Sequence, residues 1–287
     1  MITLNPSKIL IPVDFSLTSM HAIKHGALLV KKSKGELFLL HVKRKKEIEN
    51  IVFPTTELRG MAEETKSILE HLEDLGRNIK KEFDITVTAL VAVGSRPVEI
   101  VNTAEKNKVG LIVMGTQGSD STSTFFSGSN SYRVIKKSTI PVMTFRAEAP
   151  HLGFSKILLP IDSSEHSPQK INSAMQMAKL CASTIHVIGI LGKKETEFEQ
   201  KIRNILEKIE HQAKEENLTC SSEVIKTDNP VGKTLSQAKR VKADIIITMT
   251  DQRAGSNGFW FGNYDHQLVD ESEIPVLSIP PELHEKS

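Results

Sequence analysis

The chain is poor in the residues and segments that would give it away at once. It has two cysteines, Cys181 and Cys220, with none of the close spacing of a zinc site, so reduced thiols are the default reading. No apolar run approaches the roughly 18 residues of a membrane span. Met1 to Phe15 has neither the basic start nor the apolar centre of a signal peptide. No membrane partner is expected, and the expected address is the cytoplasm. Charge of one sign is also lacking: 37 Lys and Arg against 35 Asp and Glu leave +2. Residues 1–148 hold 21 basic against 16 acidic side chains and residues 149–287 hold 16 against 19, so the halves carry +5 and −3. A mildly basic half suits an anionic ligand, but the excess is too small and too scattered for nucleic acid, and none is expected as a partner. There is no Gly-x4-Gly-Lys-Ser/Thr loop and no nucleophile–histidine–carboxylate arrangement, so no catalytic residue is assigned.

What is present is a repeat. Lys8-Ile-Leu-Ile-Pro-Val-Asp14 returns as Lys156-Ile-Leu-Leu-Pro-Ile-Asp162, and Lys136-Lys-Ser-Thr-Ile-Pro-Val142 returns as Asp270-Glu-Ser-Glu-Ile-Pro-Val276. The first offset is 148 and the second 134, which marks a tandem duplication whose second copy has a shorter middle. With 287 residues and 39% apolar side chains each copy can bury its own core, and the expected domains are 1–148 and 149–287.

Within the first copy, strand and helix alternate. Strands are expected over 8–13, 36–42, 85–93, 111–115 and 141–145. A helix runs from an N-cap at Ser16 to about Lys32 with Gly35 ending it, a longer one spans 57–82, and Pro97 opens a short one. Such alternation predicts an α/β fold, a parallel sheet with right-handed crossovers and helices on both faces. Ligands of these sheets sit beyond the C-terminal strand ends, where the winding reverses.

The sharpest motif follows the buried run Leu111 to Met114. It reads Gly115-x2-Gly118-x9-Gly128-Ser129, with Asn130-Ser131 opening the next helix. Backbone amides at glycines and at a helix N-terminus are suited to phosphate. The spacing resembles the nucleotide-binding loop of the universal stress protein family, and Pro12-Val13-Asp14 matches that family's first strand and its aspartate. The resemblance covers the first copy from end to end. It implies two tandem doubly wound domains of Rossmann-like, adenine nucleotide alpha hydrolase-like architecture, each a five-stranded parallel sheet of order 3-2-1-4-5. It implies an adenine nucleotide as ligand: ATP, or ADP or AMP, with Mg2+ admissible on the phosphates. Gly115, Gly118, Gly128 and Ser129 would hold phosphates and ribose, and Asn130 and Ser131 could add donors. Asp14 would contact the nucleoside, with an N-cap role as its alternative. Pro12 and Val42 would line the base pocket, Val42 through its backbone.

Other candidates carry plainer readings. His21 and His25, four apart on the first helix, fall opposite its apolar face and lack a third ligand, so a solvated face is expected and no metal site. His41 and His186 lie in strands and read as structural histidines. Phe125-Phe126 and Phe259-Trp260-Phe261 are apolar tips in polar loops. In the second copy the offset of 134 sets Met249 and Gln252 where the first has Gly115 and Gly118, so no nucleotide is expected there. Family members commonly pair through their last strands, which implies a seam between 141–146 and 274–279 and leaves a homodimer open. The leading expectation is a nucleotide-dependent regulatory or protective stress module. The alternatives are a weak ATP-hydrolysing or adenylyl-transferring enzyme and a scaffold without ligand.

Overall fold

The computed structural model describes residues 4–44, 55–116, 130–146, 152–162, 169–193, 198–250 and 264–281. The first repeat contains β1 (Lys8–Pro12), α1 (Leu17–Ser33), β2 (Glu36–Lys43), α2 (Thr55–Phe83), β3 (Thr86–Val93), α3 (Arg96–Lys106), β4 (Leu111–Gly115), α4 (Asn130–Lys137) and β5 (Val142–Phe145). The second contains β6 (Lys156–Ile161), α5 (Gln169–Cys181), β7 (Thr184–Leu191), α6 (Glu199–Glu215), β8 (Cys220–Lys226), α7 (Pro230–Val241), β9 (Ile245–Met249), α8 (Tyr264–Glu271) and β10 (Val276–Ile279). The shorter middle of the second copy is largely a shorter helix, 17 residues in α6 against 29 in α2.

All ten strands form one sheet in the order β3-β2-β1-β4-β5-β10-β9-β6-β7-β8. Within each repeat the pairing is parallel, and the first repeat has the implied order 3-2-1-4-5. The last strands of the two repeats pair antiparallel, Leu277 opposite Met143, so the seam lies within the expected segments. Parallel strands covered on both faces must be apolar throughout, and Ile9, Leu10 and Ile11 are fully buried, as are Leu111, Ile112 and Val113.

The two faces are packed differently. On the face of α1, α2, α5 and α6 a single core runs across the seam, including Ile11 and Leu39 from one repeat and Ile157 and Val187 from the other. On the opposite face there are two cores, one around Leu10, Leu40 and Ile112 and one around Leu158, Ile188 and Ile246.

Helix ends depart from the glycine stop expected at Gly35. Lys34, with φ 54°, is the left-handed residue that ends α1, and the Gly35 amide donates to the Val30 carbonyl at 3.0 Å. Gly35 itself is required by crowding: a Cβ there would run into the Ser7 backbone. Asp84, Lys108, Ala182, Asn217 and Lys242 also adopt positive φ just after helices.

Candidate functional site

β1 and β4 are neighbours at the point where the order of the first repeat reverses. Ile9 pairs with Leu111 and Leu10 with Ile112, so β1 and β4 run side by side toward the same edge of the sheet, where Asp14 follows one and Gly115 ends the other. The two strongest motifs in the sequence therefore end at one place, beyond the C-terminal edge of the sheet.

The local structure explains why these residues stand there. Asp14 is not the N-cap of α1; Ser16 is, its side chain accepting from the Ser19 amide. Asp14 instead holds the cap, its Oδ1 accepting from the Ser16 amide at 3.0 Å and from Ser16 Oγ at 2.5 Å. Ser16 Oγ also lies 2.9 Å from Thr18 Oγ1. Thr18 in turn abuts Gly115: a Cβ on Gly115 would lie 2.8 Å from Thr18 Cβ and 2.9 Å from Thr18 Oγ1. Glycine is thus demanded at the end of β4 by the first turn of α1. The end of β4 and the start of α1 thus bring together the Asp14 carboxylate, the Ser16 and Thr18 hydroxyls and a helix N-terminus, whose partial positive charge favours anions.

Pro12 is half-buried at the end of β1. Val42 lies on the far side of β1, buried near the end of β2 and paired with Ala92 of β3. Asn130 and Ser131 form the first turn of α4, which leads from the C-terminal edge of β4 back toward β5; Ser131 is buried. Gly118, Gly128 and Ser129 lie outside the described residues, as do Gln252 and both aromatic loop tips.

Two histidine readings stand: His41 Nδ1 donates to the Val13 carbonyl at 2.7 Å, and His186 is bonded to Ser221 and Glu223. The reading of His25 is corrected. It is buried, its ring centroid 4.4 Å from that of Phe145 and 5.5 Å from that of Phe154. Burial, with a smaller contribution from His21, pulls its pKa down to about 4. Lys24, Lys31 and Lys32 of the same helix stay exposed, so it is His25 in particular that is taken in between Phe145 of β5 and Phe154 ahead of β6. Among the described residues no cluster of three or more potential metal ligands occurs.

The second repeat handles the equivalent place with internal charge. Lys170, at the position of Ala22 in the first repeat, is buried; burial lowers its pKa and the nearby Asp162 charge opposes this. Tyr264 Oη lies 2.7 Å from Thr234 Oγ1, and burial drives its phenol well above the ordinary range. Met249 ends β9 where Gly115 ends β4. A groove of about 580 Å³ lined by Lys239, Lys242, Glu271 and Pro275 lies at the other edge of this repeat, away from the strand C-termini.

Two doubly wound repeats joined edge to edge through their last strands define a tandem α/β protein of Rossmann-like class. The family model described as the universal stress protein family matches it twice, over residues 6–146 and 153–280, and the chain belongs to that family. It is 33% identical over 152 residues to universal stress protein MJ0577 of Methanocaldococcus jannaschii, an alignment covering 48% of this chain and 94% of that protein. It is 30% identical over 155 residues to universal stress protein YxiE of Bacillus subtilis, covering 49% and 99%. A universal stress protein structure from Archaeoglobus fulgidus superposes with a TM-score of 0.76 at 19% identity over 99% of this chain and 100% of that one, a likeness of fold.

Proposed function

We propose that the first repeat, taken as the domain 1–148, binds an adenine nucleotide in the crevice between the ends of β1 and β4. ATP is the expected ligand, with ADP and AMP as close competitors because the crevice recognises anionic oxygens. The convergence of Asp14, Gly115 and the capped start of α1 at the reversal point of the sheet carries this reading. The donor set fits such a ligand. Glycine amides and the N-termini of α1 and α4 would suit phosphates, the Asp14 carboxylate would suit sugar hydroxyls, and the β2 backbone at Val42 would offer hydrogen-bonding groups to a base. Mg2+, where bound, would neutralise phosphate charge.

The second domain, 149–287, serves as the partner lobe without nucleotide. Its Met249 puts a side chain at the strand end and its buried Lys170 already answers the Asp162 charge. Family membership and the absence of catalytic apparatus in the sequence favour a cytoplasmic regulatory or protective module over an enzyme. Bound nucleotide would act by preferring one arrangement of the chain, to the extent of its differential affinity.

Release of small molecules from the folded, purified chain, followed by mass spectrometry and titration with ATP and Mg2+, tests this. One equivalent of adenine nucleotide per chain, lost in Gly115→Val, is expected. Binding unaffected by that change would place the nucleotide somewhere other than the end of β4, and no binding at millimolar ATP would leave the scaffold reading. Turnover abolished by the same change would establish the enzyme instead.

A further inference from the structure

Asp14 has on either side of it a residue engaged by the same side chain. The His41 Nδ1 atom lies 2.7 Å from the Val13 carbonyl oxygen. A carbonyl only accepts, so Nδ1 carries a proton and donates. The ring of His41 also lies 5.6 Å from the ring of Phe15 at an interplanar angle of 30°. Phe15 has φ 62°, and it is the one described non-glycine residue at positive φ that does not follow a helix. Bulky L-residues avoid that conformation, so a neighbour must hold it. The residues before and after Asp14 are thus pinned from β2, while Asp14 itself is tied to the cap of α1.

The second repeat provides an internal control. The offset of 148 sets Gly189 in place of His41, and Ile161 pairs with Gly189 in the corresponding register. A Cβ at 189 would collide with Ile202 and lie 3.2 Å from Leu206, so α6 fills the space that His41 uses in the first repeat. The lobe that keeps the aspartate but has lost the glycine has also lost the clasp.

We propose that His41 is a positioning residue for the first crevice: by donating to the Val13 carbonyl and packing on Phe15 it sets the pose in which Asp14 meets a sugar hydroxyl of a bound nucleoside phosphate. It touches no ligand itself. The inference rests on the nucleotide reading above, and the experiment separates the two.

ATP is titrated into the full-length chain as wild type, His41→Leu, His41→Asn and His41→Gln, each with and without Asp14→Ala. The asparagine amide nitrogen overlies Nδ1, whereas that of glutamine overlies Nε2. His41→Leu and His41→Gln are expected to weaken binding about tenfold, the scale of one lost hydrogen bond, and His41→Asn to stay within about threefold of wild type. With Asp14→Ala in place, the effect of His41→Leu should shrink to about twofold or less, because the clasp acts through that carboxylate. An asparagine variant as weak as the leucine one, or a leucine effect undiminished by Asp14→Ala, overturns the proposal.

Hydrogen exchange at the Ser16 and Ser19 amides gives a readout that needs no ligand. Both are bonded within the cap, to Asp14 Oδ1 and Ser16 Oγ. Exchange there should rise about tenfold in His41→Leu and stay near wild type in His41→Asn. Unchanged exchange in the leucine variant overturns the clasp whether or not ATP binds, and failure of every variant and the wild type to bind ATP removes the nucleotide reading alone.

Discussion

The ring of Tyr132 meets the ring of His266 edge-on, centroids 3.9 Å apart and planes at 66°. The two residues occupy the same position of their repeats, separated by the offset of 134, so the contact sits on the pseudo-twofold axis of the tandem chain. Their neighbours one turn on also correspond. Lys136 Nζ lies 5.5 Å from the Tyr132 ring centre, and Asp270 Oδ2 lies 3.4 Å from His266 Nε2. Arg146, at the end of β5, donates to the Asp270 carbonyl at 2.9 Å. The seam is therefore joined by side chains as well as by the β5–β10 ladder, with Tyr132 of α4 on one side and His266 of α8 on the other.

If the ring pair contributes to joining the lobes, its two members must be energetically coupled. Tyr132→Ala, His266→Ala and the double variant, compared by urea denaturation, should give a coupling of about 0.5–1.5 kcal/mol, the usual worth of an aromatic pair beyond area burial. Additive losses would make the contact a by-product of strand pairing.

His25 gives the chain an acid-sensitive seam. Its pKa falls from 6.5 to about 4 on folding, so between those values the unfolded chain takes up a proton that the folded chain refuses. Its contribution to stability is fully present above pH 6.5 and is lost as pH falls toward 4. The loss is on the order of 3 kcal/mol. His25→Phe should reduce the difference in melting temperature between pH 7.5 and pH 5. An equal acid loss in both proteins would show that His25 is protonated in the folded state at little cost.

The first repeat is legible in sequence where one physical demand dominates. Leu111 to Met114 must be apolar because both faces of β4 are covered, and the observed strand spans the expected residues, 111–115. Ser16 reads as an N-cap because a hydroxyl there accepts from an amide three residues on, which it does. His25 was misread because a helix in a tandem chain has two neighbours. α1 buries Ala22, Ile23, Ala27 and Val30, but also Ser19, His25 and Gly26, the histidine against Phe145 and Phe154 at the seam. Periodicity reports one buried stripe; the second depends on where the other repeat docks. Phe15 at positive φ and the His41 bond to Val13 depend on the separation of β1 and β2 in space, and no local pattern marks them.

Lys170 is predicted to be a liability to the fold. Desolvation of its buried ammonium outweighs the help from Asp162. Replacing a buried charge by an apolar side chain of similar volume is often neutral or stabilising, whereas removing its partner is costly. Lys170→Met should therefore match or exceed wild type in stability, and Asp162→Asn should lose about 1 kcal/mol or more. The double variant should behave like Lys170→Met. A Lys170→Met variant several degrees less stable than wild type would mean that the ammonium holds the start of α5 to Asp162 at a net gain.

Gly115 should be intolerant of even one added carbon, for reasons of packing that precede any ligand. Of the three atoms a Cβ would meet, Thr18 Cβ at 2.8 Å and the Thr18 carbonyl carbon at 3.3 Å cannot swing aside by a side-chain rotation. Either the end of β4 or the first turn of α1 must move. Ser16 caps that turn and Asp14 holds Ser16, so a shift there disturbs the carboxylate as well as the strand end. Gly115→Ala should cost about 1–3 kcal/mol, the range for overpacking, and weaken ATP binding by about tenfold or more. Adding Thr18→Gly removes the closest atoms and costs only about 0.3 kcal/mol of helix propensity, because threonine is already a poor helix former. The double variant should then be more stable than the sum of the single losses predicts, as expected of residues in contact. Strict additivity would mean that β4 and α1 do not press on each other, and the demand for glycine at 115 would have to come from the ligand alone.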